Sequence, residues 1–204
     1  MIVLGLTGSI GTGKSTTAAM FRDAGIAVSD ADAIVHDLYQ TDAVEPISMK
    51  FPGAVSDGVV DRAALSRLLA AKPALFADLE AIVHPMVRER ERRFVEGERI
   101  KGASLVVVDV PLLFEVGARD RVDRVLVVTC DPAIQHERVL ARPGMTEEKF
   151  EMIRARQMPD AEKIRRADFV IDTGLGYHVA RAAVARIIET LTAQAATEGR
   201  INDA

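Results

Sequence analysis

Residues 8–16 read GSIGTGKST, which places three glycines, one lysine and four hydroxyl side chains in nine positions. Gly8, Gly13, Lys14 and Ser15 fill the pattern G-x-x-x-x-G-K-[ST] completely. Glycines at these points let a backbone wrap an anion without Cβ clashes, so that several N–H groups point inward. A helix opening at the lysine adds its partial positive charge. Such a loop holds the phosphates of a nucleotide. Lys14 would reach the β- and γ-phosphates, and the Ser15 hydroxyl would complete a Mg2+ shell made otherwise of water and phosphate oxygens. Gly8, Gly11, Thr12, Gly13, Lys14, Ser15 and Thr16 are the expected nucleotide-binding residues.

A phosphate loop serves switches, motors and kinases alike, so the purpose must come from other residues. The only asparagine is Asn202, so a guanine-reading Asn-Lys-x-Asp segment is missing and a GTPase is disfavoured. The stretch SDADA supplies Asp30 and Asp32. A kinase acting on a hydroxyl needs a carboxylate to orient the oxygen and take its proton. Asp32 suits that role, while Asp30 reads equally well as a helix cap. Asp109 closes the run LVVVD and is favoured over Asp131 for assisting magnesium through water, because Asp131 precedes Pro132 and reads as a cap. Glu115 reads either as a cleft residue or as a solvent-exposed loop carboxylate. Arg138 and Arg142 are four apart, on one expected helix face, within a segment carrying six arginines. That pair suits phosphate neutralisation or stacking on adenine. Arg154, Arg156, Arg165 and Arg166 read as surface residues or secondary phosphate contacts.

These residues must be held by a scaffold, and the pattern shows which. Apolar β-branched runs at 2–6, 26–28, 105–108, 125–128 and 169–171 suit strands buried on both faces, alternating with helices. A first helix is expected over 14–24, ended by Gly25, and a last one over 177–195 with Val179, Ala183, Val184, Ile187, Ile188 and Leu191 on one face. The tail beyond 195 is expected to fray. Residues 33–102 lack a strong strand signal and read as helices near 33–40, 43–50, 61–71 and 75–95, with a turn-rich break at KFPGAVSDGVVD. Pro85 in VHPM is expected to kink or split the last of these at His84. Apolar residues make up 49% of the chain and charged ones 27%, which favours a globular domain over disorder. The net charge of −4 disfavours bulk electrostatic binding of nucleic acid. One cysteine permits no intrachain disulfide, and no apolar run reaches the ~18 residues of a membrane span. A cytoplasmic protein with small-molecule partners, and neither nucleic-acid nor membrane partners, is expected; a monomer is the expected state, with an oligomer left open.

Taken in order, GLTGSIGTGKST, SDADAIVHDL, DGVVDRAALSRLL, LEAIVHPMVRE, VVVDVPLLFE, QHERVLAR, RARQ and ADFVIDTG resemble the dephospho-coenzyme A kinase family. The resemblance implies an α/β P-loop three-layer fold: a five-stranded parallel sheet, a helical substrate-binding insert and a helical lid. It implies a core of 1–29, 103–132 and 167–204, a coenzyme A-binding insert at 30–102 and a lid at 133–166. The implied reaction is ATP-dependent phosphorylation of the ribose 3′-hydroxyl of dephospho-coenzyme A, with Mg2+. Asp32 would be the base, with Lys14, Arg138 and Arg142 as its catalytic companions. Asp30, Asp32, His84, Arg88, Asp109 and Leu112 would lie on the substrate side. Two residues depart from the family pattern, Pro52 in FPGAV and Thr173 in VIDTG. The second falls where adenine is expected.

Overall fold

A computed structural model of the chain describes residues 1–202, with side chains through Thr197. In chain order its elements are β1 (Ile2–Gly8), α1 (Lys14–Asp23), β2 (Ala27–Asp30), α2 (Ala31–Leu38), α3 (Val44–Lys50), β3 (Val55–Ser56), β4 (Val59–Val60), α4 (Arg62–Ala71), α5 (Leu75–Ile100), β5 (Leu105–Asp109), β6 (Arg124–Thr129), α6 (Pro132–Leu140), α7 (Glu147–Arg154), α8 (Asp160–Arg165), β7 (Phe169–Asp172) and α9 (Tyr177–Asn202). They form two compact units, one joining Met1–Ser29 to the chain from Gly97 onward, the other Asp30–Glu96.

The first unit is built on a five-stranded parallel sheet in the order β2-β5-β1-β6-β7. All five expected strands are present. Every residue of β1 and β5 is buried, which is why these strands read as unbroken apolar runs. Strands β5 and β6 flank β1 on opposite sides, so the strand order reverses there, and the crevice beyond the carboxyl end of β1 is where such sheets bind ligands. Helix α1 ends as its sequence predicts. Gly25, at φ 80°, donates to Arg22 O, and Ile26 donates back to Phe21 O, which satisfies two carbonyls of the last turn.

Helix α9 differs from expectation in two ways. It continues past Ala195 to Asn202, and residues 203–204 lie outside the described residues. Its core face is Ala180, Val184, Ile187, Leu191 and Ala195, with Ala183 and Ile188 at the edge, whereas Val179 is exposed. Burial of Ala195 against the sheet core carries the apolar stripe one turn beyond Leu191 and supports the helix where it was expected to end.

In the second unit the turn-rich break is a hairpin of β3 and β4, closed by Asp57 and Gly58, both at positive φ. This is the Asp-Gly pairing that two-residue hairpins favour. Pro52 fits its turn. Ala54 N donates to Phe51 O at 3.0 Å across Pro52 and Gly53 (φ 84°), the arrangement in which proline and glycine occupy their favoured central positions. Helix α5 contradicts the expected break, because it runs unbroken from Leu75 to Ile100 with Pro85 inside it. A proline there costs about 3 kcal/mol. Leu75, Leu79, Ile82, Val83, Met86 and Val87 of the same helix pack into the apolar core of this unit. At about 1.5–3 kcal/mol per fully buried side chain, even their partial burial outweighs the proline.

On the exposed face of α5, hydrogen bonds from Arg92 and Arg93 hold the Glu89 carboxyl down to about 2 from its ordinary 4.5. A depressed folded-state value means that the support these pairs give is complete above pH 4.5 and fades as pH falls toward 2. A carbon-13 carboxyl titration should place the Glu89 midpoint at about 2 and move it upward in Arg92→Ala; an ordinary midpoint in the intact protein would contradict the pairing.

Candidate active site

The phosphate-type loop lies between the buried strand β1 and the first turn of α1. Gly8 is required for space: a Cβ there would sit 2.6 Å from Val128 O and 2.8 Å from Thr12 Oγ1. Gly13 is required for conformation, at φ 94°, and also packs against Thr173. Gly13 is the N-cap residue of α1, and no side chain caps that helix. Its first-turn amides are therefore left for an anion, in the geometry that binds phosphate. Thr12 is buried and donates from its hydroxyl to Ser9 O at 2.8 Å, so its side chain shapes the loop. Gly11 is buried, while Ser15 and Thr16 are exposed at the helix start.

Lys14 Nζ lies 2.5 Å from Asp109 Oδ1. Asp109 is buried at the carboxyl end of β5, where it pairs in register with Leu6 of β1. The sheet thus delivers the strand-end carboxylate to the loop lysine across two neighbouring strands. Its rival Asp131 caps α6, accepting from Ala133 N at 2.8 Å. Among the described residues no cluster of three or more His, Cys, Asp or Glu side chains could hold a metal by itself. The exposed Ser15 hydroxyl and the Asp109 carboxylate are hard oxygen donors, however, and fit a magnesium ion whose remaining ligands are phosphate oxygens and water.

A cavity of about 320 Å³ opens beside the loop, with Gly13, Thr16, Arg138, Arg142, Thr173 and Tyr177 in its lining. Arg142 lies two residues past the end of α6, so the two arginines do not share a helix face as expected, yet both reach this cavity. Arg138 donates to Thr173 Oγ1 at 2.8 Å and to Thr173 O at 3.2 Å, and Thr173 Oγ1 donates to Thr12 O at 2.6 Å. The departure at Thr173 therefore joins the loop to α6. Arg154 pairs with Glu151, and Arg165 and Arg166 pair with Glu162, on exposed helix faces. Burial pushes the Cys130 thiol up, which disfavours its thiolate.

Of the remaining predicted residues, Asp30 caps α2, accepting from Asp32 N at 3.0 Å and Ala33 N at 3.1 Å. Asp32 stands in the first turn of that helix with its side chain exposed. His84 is half-buried and Arg88 exposed, one turn apart on α5; Leu112 is exposed in the segment after β5. Sequence reasoning missed Gln135, Gln157, Asp160 and Lys163, all of which reach the loop at Ser9 or Ile10. It left Glu115 open; the structure pairs it with Lys163 at 3.1 Å. Only a full-length family pattern could have signalled these residues, since polar side chains on polar helices read locally as solvated. No helix among the described residues is long and apolar enough to cross a membrane.

Comparison with known proteins finds relatives along nearly the whole chain. A family model described as dephospho-CoA kinase matches residues 2–176. A dephospho-CoA kinase of Rhizobium meliloti is 54% identical over 193 residues, covering 95% of this chain and all of the relative. A crystal structure from Thermus thermophilus superposes with a TM-score of 0.80 at 36% identity, covering 93% of this chain and 96% of the other. A dephospho-CoA kinase from Campylobacter jejuni shares the fold, with a TM-score of 0.73 at 22% identity over 94% of this chain and 98% of its own.

Proposed function

The chain belongs to the dephospho-CoA kinase family, and from that premise we propose that its residues move the γ-phosphoryl group of ATP to the ribose 3′-hydroxyl of dephospho-coenzyme A. The observation that carries the reading is the uncapped start of α1, led by a complete phosphate loop and with Lys14 set on a buried strand-end aspartate.

In this reading the loop from Gly8 to Thr16 holds the ATP phosphates on backbone amides. Lys14 leaves Asp109 for the β- and γ-phosphates, a move that exchanges one anionic partner for another. Ser15, with Asp109 through water, would hold Mg2+, which when bound neutralises charge on the β- and γ-oxygens. Arg138 and Arg142 meet the phosphates and the adenine from the wall of the cavity they line. Asp32 accepts the proton of the acceptor hydroxyl and aims its oxygen, since phosphoryl transfer rests mainly on positioning and charge stabilisation. Residues 30–102 form the acceptor-binding insert, to which Asp30, His84 and Arg88 belong, and Leu112 and Asp109 are assigned to the same substrate. Residues 133–166 form the lid, whose closure excludes water as a competing acceptor.

Arg142→Ala is expected to lower kcat by about 10²-fold, the loss typical of removing one preorganised charge donor, without unfolding the protein. Steady-state kinetics with varied ATP check this, and unchanged kcat would remove Arg142 from the mechanism. The reading as a whole is tested by magnesium-dependent ADP release with dephospho-coenzyme A beside AMP, CMP and adenosine. Turnover with dephospho-coenzyme A alone supports it. Turnover with a monophosphate overturns the acceptor, and ATP binding with no acceptor active points to a nucleotide switch.

A further inference from the structure

A buried lysine outside the transfer machinery lies directly behind the phosphate loop. Lys163 of α8 is fully buried, at 0% exposure. Its ammonium pairs with Glu115 Oε1 at 3.1 Å and donates to Ser9 Oγ at 3.2 Å. Ser9 in turn donates to Asp160 Oδ1. Glu115 also accepts from Met158 N at 2.7 Å, and its second oxygen is buried with no hydrogen-bond partner among the described residues. One residue along the loop, Ile10 N donates to Gln157 Oε1 at 3.1 Å, and Ile10 O accepts from Gln135 Nε2 at 2.7 Å. Ser9 and Ile10 are thus gripped from behind by side chains of α6, α8 and the turn before α8.

A buried ion pair is a poor device for stability alone, because apolar residues of the same volume serve a core as well or better. This pair ends on the hydroxyl of a residue inside the phosphate loop. That placement gives it a use: fixing Ser9 and Ile10 fixes the direction of the loop amides before any phosphate arrives, so less reorganisation is needed on binding. We propose that Lys163 is a positioning residue for the phosphoryl donor, holding the phosphate loop in its nucleotide-ready shape through Ser9, with Glu115 as its counter-charge. The inference rests on the loop being the ATP site and is independent of the acceptor. It also divides the 133–166 segment, since α8 braces the loop instead of moving over it.

The test is calorimetric binding of MgADP, which needs no acceptor, together with KM values for both substrates. Lys163→Met leaves the half-buried Glu115 without its cation and risks unfolding, so the informative variant is Lys163→Met with Glu115→Gln, which removes both charges at similar volume. With a thermal transition close to that of the intact protein, this double variant should bind MgADP about 10-fold more weakly. Its KM for ATP should rise in step, while its KM for dephospho-coenzyme A stays within about 2-fold of the intact protein's. Ser9→Ala keeps the ion pair but cuts its link to the loop, and should move the KM for ATP in the same direction. MgADP binding within 2-fold of the intact protein in Ser9→Ala, or in a folded double variant, would overturn the proposal. Failure of the intact protein to bind MgADP would overturn the loop reading itself.

Discussion

Lys14→Met is expected to abolish measurable transfer, lowering kcat/KM by about 10³-fold or more, and to lower the thermal transition as well. The two losses have different origins. The ammonium is the only side-chain cation that the loop motif itself places at the helix start, so its loss removes charge stabilisation where negative charge gathers on the transferring group. The same change leaves Asp109, whose side chain is 3% exposed, without the ion-pair partner now 2.5 Å away. Breaking a fully buried pair costs about 3–5 kcal/mol. The cost here is smaller, because Lys14 keeps 14% exposure and its end is reachable by water. Lys14→Met combined with Asp109→Asn should therefore recover most of the stability and none of the turnover. Differential scanning fluorimetry beside a coupled ADP assay checks both parts. Recovery of turnover in the double variant would show that Lys14 matters only as a partner for Asp109.

Asp32→Asn is expected to lower kcat by about 10²–10⁴-fold, the range for removing a general base, with MgADP affinity unchanged. The cap of α2 explains why the neighbouring aspartates separate so cleanly. Asp30 receives the amides of Asp32 and Ala33, so Asp30→Ala should cost about 1 kcal/mol of stability, the usual value of an N-cap. The Asp32 side chain is exposed and takes no part in that cap, so Asp32→Asn should leave stability near that of the intact protein. Single-turnover kinetics separate chemistry from substrate binding. A transfer rate within a few-fold of the intact enzyme would take the base role away from Asp32.

The residues that made this site legible are those whose function dictates a local pattern. β1 and β5 had to be mostly apolar because both faces are covered, and the loop needed Gly8 and Gly13 at fixed spacing because a Cβ would strike Val128 O at the first and the second stands at φ 94°. Features set by distant packing left no such trace. Helix α5 passes Pro85 because Val83 is buried, and Ile82, Met86 and Val87 partly buried, in a core that no window around VHPM displays. The β3–β4 hairpin has strands of two residues each, too short for any periodicity, so the stretch read only as a turn-rich break. The choice of Ala180 over Val179 for the core face of α9 depends on the rotation of that helix against the sheet, which hydropathy does not encode. Lys163 is the sharpest case. It sits in a polar, arginine-rich segment that reads as solvated, and its burial is decided by Ser9, 154 residues earlier in the chain.

The position of the transferred phosphate tests the central claim most directly. Dephospho-coenzyme A and MgATP should be converted to one product, whose phosphorus-31 and proton NMR place the new phosphate on the ribose 3′-oxygen, with one ADP formed per product. A product phosphorylated at the 2′-oxygen, or one in which the existing phosphate chain is extended, would contradict the account.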